Sequence, residues 1–233
     1  MKKMILVMLP DLPQKSFIEP IAKSLLFLHE DYYLDFIDPF DISGGVPGDA
    51  YFQHCQLWMK KVIAQYDAFF GFSFGGVILQ QCFPLLERVN KPVVLFSAPA
   101  FADDALQKKL GGVISLCKAK RIDDALTMLY QHVFYPNKMV QNSFELTNKD
   151  DAAARLVFGL QHVLDTNSRP ILQRTTVEYL HFIGECSDLV NTKNVIVAKK
   201  GQLFLVPHAG MRVLQDNLAF CKQRILESLN KGS

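Results

Sequence analysis

Short apolar runs alternate along the chain with longer segments in which apolar residues recur at helical spacing. Apolar runs of strand length cover residues 4–9, 32–37, 67–72, 92–96, 177–183 and 202–206. Helical spacing covers residues 16–28, 50–65, 74–89 and 211–229. This alternation predicts βαβ units and an α/β fold with a mostly parallel central sheet flanked by helices.

The alternation stops between residues 103 and 169, where helical pieces follow one another without a convincing strand. Amphipathic spacing in this region indicates helices that bury one face against the rest of the chain. We therefore predict a helical cap over residues 101–170, inserted after the strand that ends near Phe96. The core would then consist of residues 1–100 and 171–233.

Two further segments are irregular. Residues 38–49 contain two prolines and three glycines, which predicts a turn-rich loop. Residues 194–198 include a run of β-branched residues, Val195 to Val197, although their place in the order of elements requires a helix.

Composition narrows the class of protein. The 233 residues are 49% hydrophobic and 21% charged, as in ordinary globular proteins, and a net charge of +2 gives no sign of nucleic-acid binding.

The five cysteines are odd in number and lack Cys-x-x-Cys spacing, which argues against a disulfide framework or a zinc site. No metal or organic cofactor is predicted. Free thiols and the lack of a signal-peptide cleavage site favour a cytoplasmic protein without a membrane span.

The most informative motif is Gly71-Phe72-Ser73-Phe74-Gly75-Gly76, which joins a predicted strand to a predicted helix. A G-x-S-x-G sequence in this setting is typical of a nucleophile elbow, which exposes the serine hydroxyl on a sharp turn. Ser73 is therefore the candidate nucleophile. The backbone N–H of Phe74, at the start of the helix, is a candidate oxyanion donor.

A serine hydroxyl needs a base to remove its proton, and a carboxylate to orient that base. Among six histidines, His208 follows the last strand and precedes the last helix, as the chain order Ser–acid–His requires. The acid should follow the preceding strand. Asp188 is the first choice there, with Glu185 in the same segment and Asp103 after the fourth strand as alternatives.

These segments together resemble the α/β-hydrolase superfamily. The resemblance rests on the elbow GFSFGG, on IDPFDISG after an early strand, on GECSDLV as the acid loop and on HAGM as the histidine loop. It implies a Ser73–His208–Asp188 triad, although the usual Asp position holds Ser187. The early oxyanion loop, usually His-Gly, reads Pro-Asp here, and by position Leu12 would supply the second backbone N–H.

Within the superfamily the layout is similar to the pimeloyl-[acyl-carrier-protein] methyl ester esterases of biotin synthesis. The resemblance implies a serine carboxylesterase acting on a small or carrier-bound acyl ester. A same-fold lyase of menaquinone synthesis and a catalytically inactive binding protein are the alternatives. A basic run without acidic residues suggests a docking surface for an acidic acyl carrier protein, formed by Lys108, Lys109, Lys118, Lys120 and Arg121.

Overall fold

Six parallel strands form one sheet in the computed structural model, which describes residues 2–43, 50–139 and 145–231. The strands are β1 (Lys3–Met8), β2 (Tyr32–Ile37), β3 (Ala68–Phe72), β4 (Val93–Phe96), β5 (Tyr179–Gly184) and β6 (Gly201–Val206). Their order across the sheet is β2-β1-β3-β4-β5-β6, and every neighbouring pair is parallel. Strands β3, β4 and β5 are buried along their whole length, because helices cover both faces of the sheet.

Helices pack on both faces. Their bounds are α1 Glu19–Ser24, α2 Pro39–Ser43, α3 Ala50–Val62, α4 Phe74–Gln81, α5 Phe83–Leu86, α6 Asp104–Lys118, α7 Ile122–Phe134, α8 Lys149–Asp165, α9 Arg169–Leu172, α10 Val213–Asp216 and α11 Leu218–Lys231. Successive strand residues point to opposite faces, so Leu6 and Met8 join one apolar cluster while Ile5 and Val7 join the other. Helices α1, α10 and α11 cover the Ile5 face, and the remaining long helices cover the Leu6 face.

The predicted α/β class and parallel sheet are confirmed, but three predicted helices are divided. Residues 16–28 contain only α1, flanked by 3₁₀ turns at Lys15–Ile18 and Leu26–Leu28. The predicted helix 74–89 divides into α4 and α5, since Pro84 lacks the N–H that would continue the ladder. The closing segment divides into α10 and α11.

The segment that joins β5 to β6 contains no helix. Asn194 is buried, its amide Nδ2 donates to the carbonyl of Leu189 at 2.9 Å, and its Oδ1 accepts from the N–H of Asn191 at 3.1 Å. Side-chain bonds of this kind satisfy the backbone without a helix. The segment 194–198, for which the residue pattern and the position gave conflicting indications, contains neither a helix nor a strand. In the turn-rich segment 38–49, helix α2 occupies the first part, and residues 44–49 lie outside the described residues.

The cap consists of helices α6 to α9, between β4 and β5 in the chain. Helix α6 packs against α7 and α8, and α8 packs against α4. Buried cap residues such as Leu106 and Leu156 belong to the same apolar cluster as Leu6 and Leu95 of the sheet. The cap and the sheet therefore share one core.

All five cysteines are unpaired. Cys55, Cys82, Cys117 and Cys221 are buried, and Cys186 is half-buried in the loop after β5. Across the described ranges, no helix has the length and apolar character needed to cross a membrane.

Candidate active site

Ser73 stands at the junction of β3 and α4 with φ 47° and ψ −113°. A non-glycine residue with positive φ is strained, at a cost of about 1–3 kcal/mol, and such residues cluster at functional sites. The backbone N–H of Ser73 is anchored to the carbonyl of Phe96 on the neighbouring strand at 2.8 Å. The sequence prediction of a strand–elbow–helix at this point matches the backbone.

The elbow requires its glycines because the end of β1 lies directly against the start of α4. A Cβ atom at Gly75 would stand 2.2 Å from the carbonyl oxygen of Met8. One at Gly76 would stand 2.4 Å from the Cβ of Ala98. The close approach of α4 to β1 brings the loop after β1, which carries Leu12, beside the serine.

Ser73 lines a cavity of about 210 Å³ beneath the cap. Phe74 and Leu12, the two predicted oxyanion residues, line the same cavity. The cap contributes mainly aliphatic and aromatic side chains, namely Leu106, Leu110, Leu129, Tyr130, Val133, Phe134, Leu160 and Val163. The site is thus an apolar chamber with a serine in its wall.

A buried ion pair fixes the loop after β1. The Nε of Arg155, on α8, donates to the carbonyl of Leu12 at 2.9 Å, and its NH2 group donates to Asp38 at 2.5 Å. Asp11 lies in the same loop and faces the cavity, and its Oδ2 is buried without a hydrogen-bond partner. Burial raises the pKa of Asp11 well above its ordinary value; Arg155 opposes that rise and Asp38 adds to it. Because the guanidinium of Arg155 is already paired with Asp38, the neutral form of Asp11 is favoured.

The predicted histidine and acid do not join the serine. The side chain of His208 is exposed, outside the cavity lining, and its backbone N–H donates to Glu185 at 3.2 Å. Asp188 instead contacts the cap, with Oδ2 2.5 Å from Nδ1 of His132 and Oδ1 2.5 Å from Nζ of Lys109. No hydrogen bond among the described residues connects Ser73, His208 and Asp188, so the predicted triad is not assembled in this structure.

The other acid candidates have structural contacts of their own. Asp103 is the N-cap of α6, where its Oδ1 accepts from the N–H of Leu106 at 2.8 Å. Glu185 is exposed and accepts the bond from the His208 backbone. Neither carboxylate is hydrogen-bonded to an imidazole side chain.

One solved structure of similar architecture is MGS-M2, an alpha/beta hydrolase enzyme from a Medee basin deep-sea metagenome library. Its TM-score is 0.75 at 10% identity, and the match covers 98% of this chain and 90% of that chain. An esterase (EaEST) from Exiguobacterium antarcticum has a TM-score of 0.70 at 16% identity, covering 98% of this chain and 92% of that chain. MenH from S. aureus has a TM-score of 0.66 at 16% identity, covering 100% and 95%. The chain has the α/β-hydrolase fold. No protein-family model and no curated protein matches the sequence.

In the α/β-hydrolase fold the base comes from the loop after the last strand. Here that loop brings Met211, not His208, to the cavity that Ser73 lines. The hydroxyl of Ser97, after β4, donates to the carbonyl of Met211 at 2.8 Å and fixes the loop there. The sequence prediction selected His208 by chain order, and no signal in the sequence pointed to Met211 as a residue of the cavity wall.

The loop after β5, which is the predicted acid loop, has no carboxylate at the position that usually carries one. The position that usually carries the acid holds Ser187, which is buried and whose hydroxyl has no hydrogen-bond partner. The loop lies against the Met211 loop, since the N–H of Cys186 donates to the carbonyl of Ala209 at 2.9 Å. The loops that follow β5 and β6 are therefore adjacent.

The remaining inward histidines are occupied by packing. His181 on β5 is buried, its Nε2 accepts from the N–H of Ala98 at 3.2 Å, and burial lowers its pKa to about 3. The ring of His162 packs against Tyr51 and Phe158. No histidine is among the described residues that line the cavity.

The basic run is partly engaged within the molecule. Lys109 binds Asp188, and Nε of Arg121 lies 2.7 Å from Asp124. Lys108, Lys118 and Lys120 are exposed. Docking of an acidic carrier protein at this run remains a prediction.

Proposed function

We propose that this chain binds an apolar acyl compound beneath its helical cap and does not catalyse efficient ester hydrolysis. One observation supports the proposal most directly. The cavity is lined by Ser73, by the predicted oxyanion residues Phe74 and Leu12 and by apolar side chains, and no imidazole is among its described lining residues. Backbone N–H groups at these positions suit a carbonyl oxygen of the bound compound.

The lining of the cavity supports slow turnover, because no histidine is among its described residues. A serine hydroxyl is a weak nucleophile until a neighbouring group takes its proton. Removing the histidine from a serine triad costs about 10⁶-fold in turnover, because the members act as a unit. The side chain that enters the cavity from the base loop is Met211, which has no proton acceptor of comparable basicity.

The size of the cavity limits the ligand. Its volume, about 210 Å³, lies below the range of about 300–1,000 Å³ that is common for small-molecule sites. We therefore expect short to medium acyl chains to bind better than long ones.

The first test measures binding and turnover together. We expect hexanol to dodecanol, as neutral ligands, to bind with an optimum at medium chain length in titration calorimetry. We expect p-nitrophenyl esters to be hydrolysed no faster by the wild type than by Ser73→Ala. Ser115→Ala is the matched control, because Ser115 is exposed on α6 and its hydroxyl donates to the carbonyl of Gly111 in the same helix. Hydrolysis that depends on Ser73, or no binding of any ligand, would contradict the proposal.

A serine carboxylesterase is the second candidate, and the strained backbone of Ser73 favours it. Esterases with the same fold exist, among them the Exiguobacterium enzyme, although a shared fold alone does not transfer an activity. Action on a pimeloyl-[acyl-carrier-protein] methyl ester would require His208 to move into the cavity. The lyase alternative requires the same base. Loss of turnover in both Ser73→Ala and His208→Ala, with labelling of the wild type by a fluorophosphonate, would favour the esterase.

A further inference from the structure

Arg212 brings a positive charge to the wall of the apolar cavity. It follows Met211 in the loop after β6 and lines the same cavity as Ser73. Its guanidinium lies over the ring of Phe134 on α7, 4.2 Å from the ring centroid. Burial lowers the pKa of Arg212, while Asp216 raises it, so the charge is partly desolvated.

The guanidinium of Arg212 has no ion pair or hydrogen bond in the part of the chain that the structure describes. The carboxylate of Asp216 is bonded elsewhere: Oδ2 accepts from the N–H of Gly210 at 2.9 Å, and Oδ1 accepts from the amide of Asn137 at 3.0 Å. Arg155, by contrast, is buried in a pair with Asp38. The N–H groups of Arg212 are thus available to a bound molecule.

Little opposing charge stands in the same cavity. Asp11 is the one carboxyl among the described lining residues, and its burial favours the neutral form. An anionic group that enters beside Arg212 therefore meets a positive charge at one place and an apolar wall elsewhere. A half-desolvated guanidinium without a partner gains more from an anion than an exposed one does.

We propose that the cavity binds a carboxylate-bearing amphiphile, such as a medium-chain fatty acid, with the carboxylate on Arg212 and the chain against the cap. This inference rests on the proposed function and names its ligand class. A planar guanidinium can donate two parallel N–H bonds to a carboxylate, which a single alcohol oxygen cannot accept.

The test compares decanoate with decanol by titration calorimetry at pH 7.5, below the micellar concentration. We expect the wild type to bind decanoate at least about tenfold more tightly, since bonds to charged groups are roughly twice as strong as neutral ones. Arg212→Gln should weaken decanoate by about tenfold and change decanol by less than about twofold. Arg169→Gln is the matched control, because Arg169 stacks on Phe101, 4.3 Å from its ring centroid, outside the cavity lining.

Two further measurements distinguish the loss of the Arg212 charge from a general loss of stability in Arg212→Gln. Salt should weaken the binding of decanoate to the wild type and leave decanol unchanged, because screening acts only on the charged pair. Arg212→Lys should retain part of the preference for decanoate. Equal binding of decanoate and decanol by the wild type would overturn the inference and leave the proposed function standing. If Arg212→Gln lost affinity equally for decanoate and decanol, Arg212 would have a structural role only. If the wild type bound neither ligand, both proposals would be refuted.

Discussion

Ser73 and Met211 line the same cavity, and the thioether at position 211 cannot take a proton from the serine. The strained elbow and the two predicted oxyanion residues, Phe74 and Leu12, lie in the wall of that cavity. At the scale of single residues, the proposal that this site does not hydrolyse esters efficiently depends on two side chains, at positions 211 and 187. This dependence can be tested by substituting them.

We predict that Met211→His combined with Ser187→Asp raises ester hydrolysis above that of the wild type. A positioned general base contributes about 10²–10⁴-fold to a rate, so p-nitrophenyl ester turnover should rise by about 10²-fold. The gain should disappear when Ser73→Ala is added. Met211→Leu is the control and should leave the rate unchanged. If the double variant stays inactive while its circular dichroism is unaltered, position 211 does not face the hydroxyl.

At the scale of elements, Asp188 joins the core to two helices of the cap. Asp188 follows β5 and binds Lys109 of α6 and His132 of α7. Burial alone would raise the pKa of Asp188, but the hydrogen bonds from Lys109 and His132 outweigh it and lower the pKa. This contribution to stability is present above the ordinary pKa of the carboxyl and is lost as the pH falls through the lowered value.

We predict that Asp188→Asn loosens α6 and α7 without unfolding the sheet. The side chain of Asp188 is 35% exposed, so solvent screening limits the loss of stability to about 1 kcal/mol. Amide hydrogen exchange should accelerate over 104–134 and stay unchanged in β3 and β4. Asp124→Asn removes an exposed pair with Arg121 inside the same cap and should have little effect. Uniform acceleration across the sheet would contradict this account.

The sequence predicts elements better than it predicts contacts between loops. Buried parallel strands appear as continuous apolar runs, so all six strands could be located. The elbow could be located because its glycines are needed locally, by the approach of β1 to α4. Which side chain of the β6–α10 loop enters the cavity could not be predicted, because the path of that loop depends on the bond from Ser97 to Met211, 114 residues apart. The missing helix at 194–198 likewise depends on the buried amide of Asn194.

At the scale of the whole molecule, the cap is part of one continuous core. Cap residues Leu106, Leu126 and Leu156 are buried in the same cluster as residues of β1 and β4. If the cap had a separate core, it could unfold and leave the sheet intact. Here, unfolding of the cap would expose the apolar face of the sheet. A ligand in the cavity contacts both the cap and the sheet.

We predict a single cooperative unfolding transition for the full chain. Calorimetric and van't Hoff enthalpies should agree, because neither cap nor sheet keeps its apolar surface covered without the other. Saturating decanoate should raise the midpoint of that one transition, as any ligand of the native state does. Two resolved transitions, with only the earlier one responding to ligand, would show instead that the cap unfolds by itself.

The burial of the thiols has a practical consequence for following the cap in solution. Burial raises the pKa of Cys55 and Cys221 to about 12, which suppresses the thiolate that reacts with alkylating reagents. Cys82 and Cys117 are buried as well, so Cys186 is the thiol that a maleimide dye reaches first. Cys186 adjoins both the Met211 loop and Asp188. The native sequence thus supplies its own attachment point for a fluorophore that would report, molecule by molecule, when the chamber over Ser73 opens.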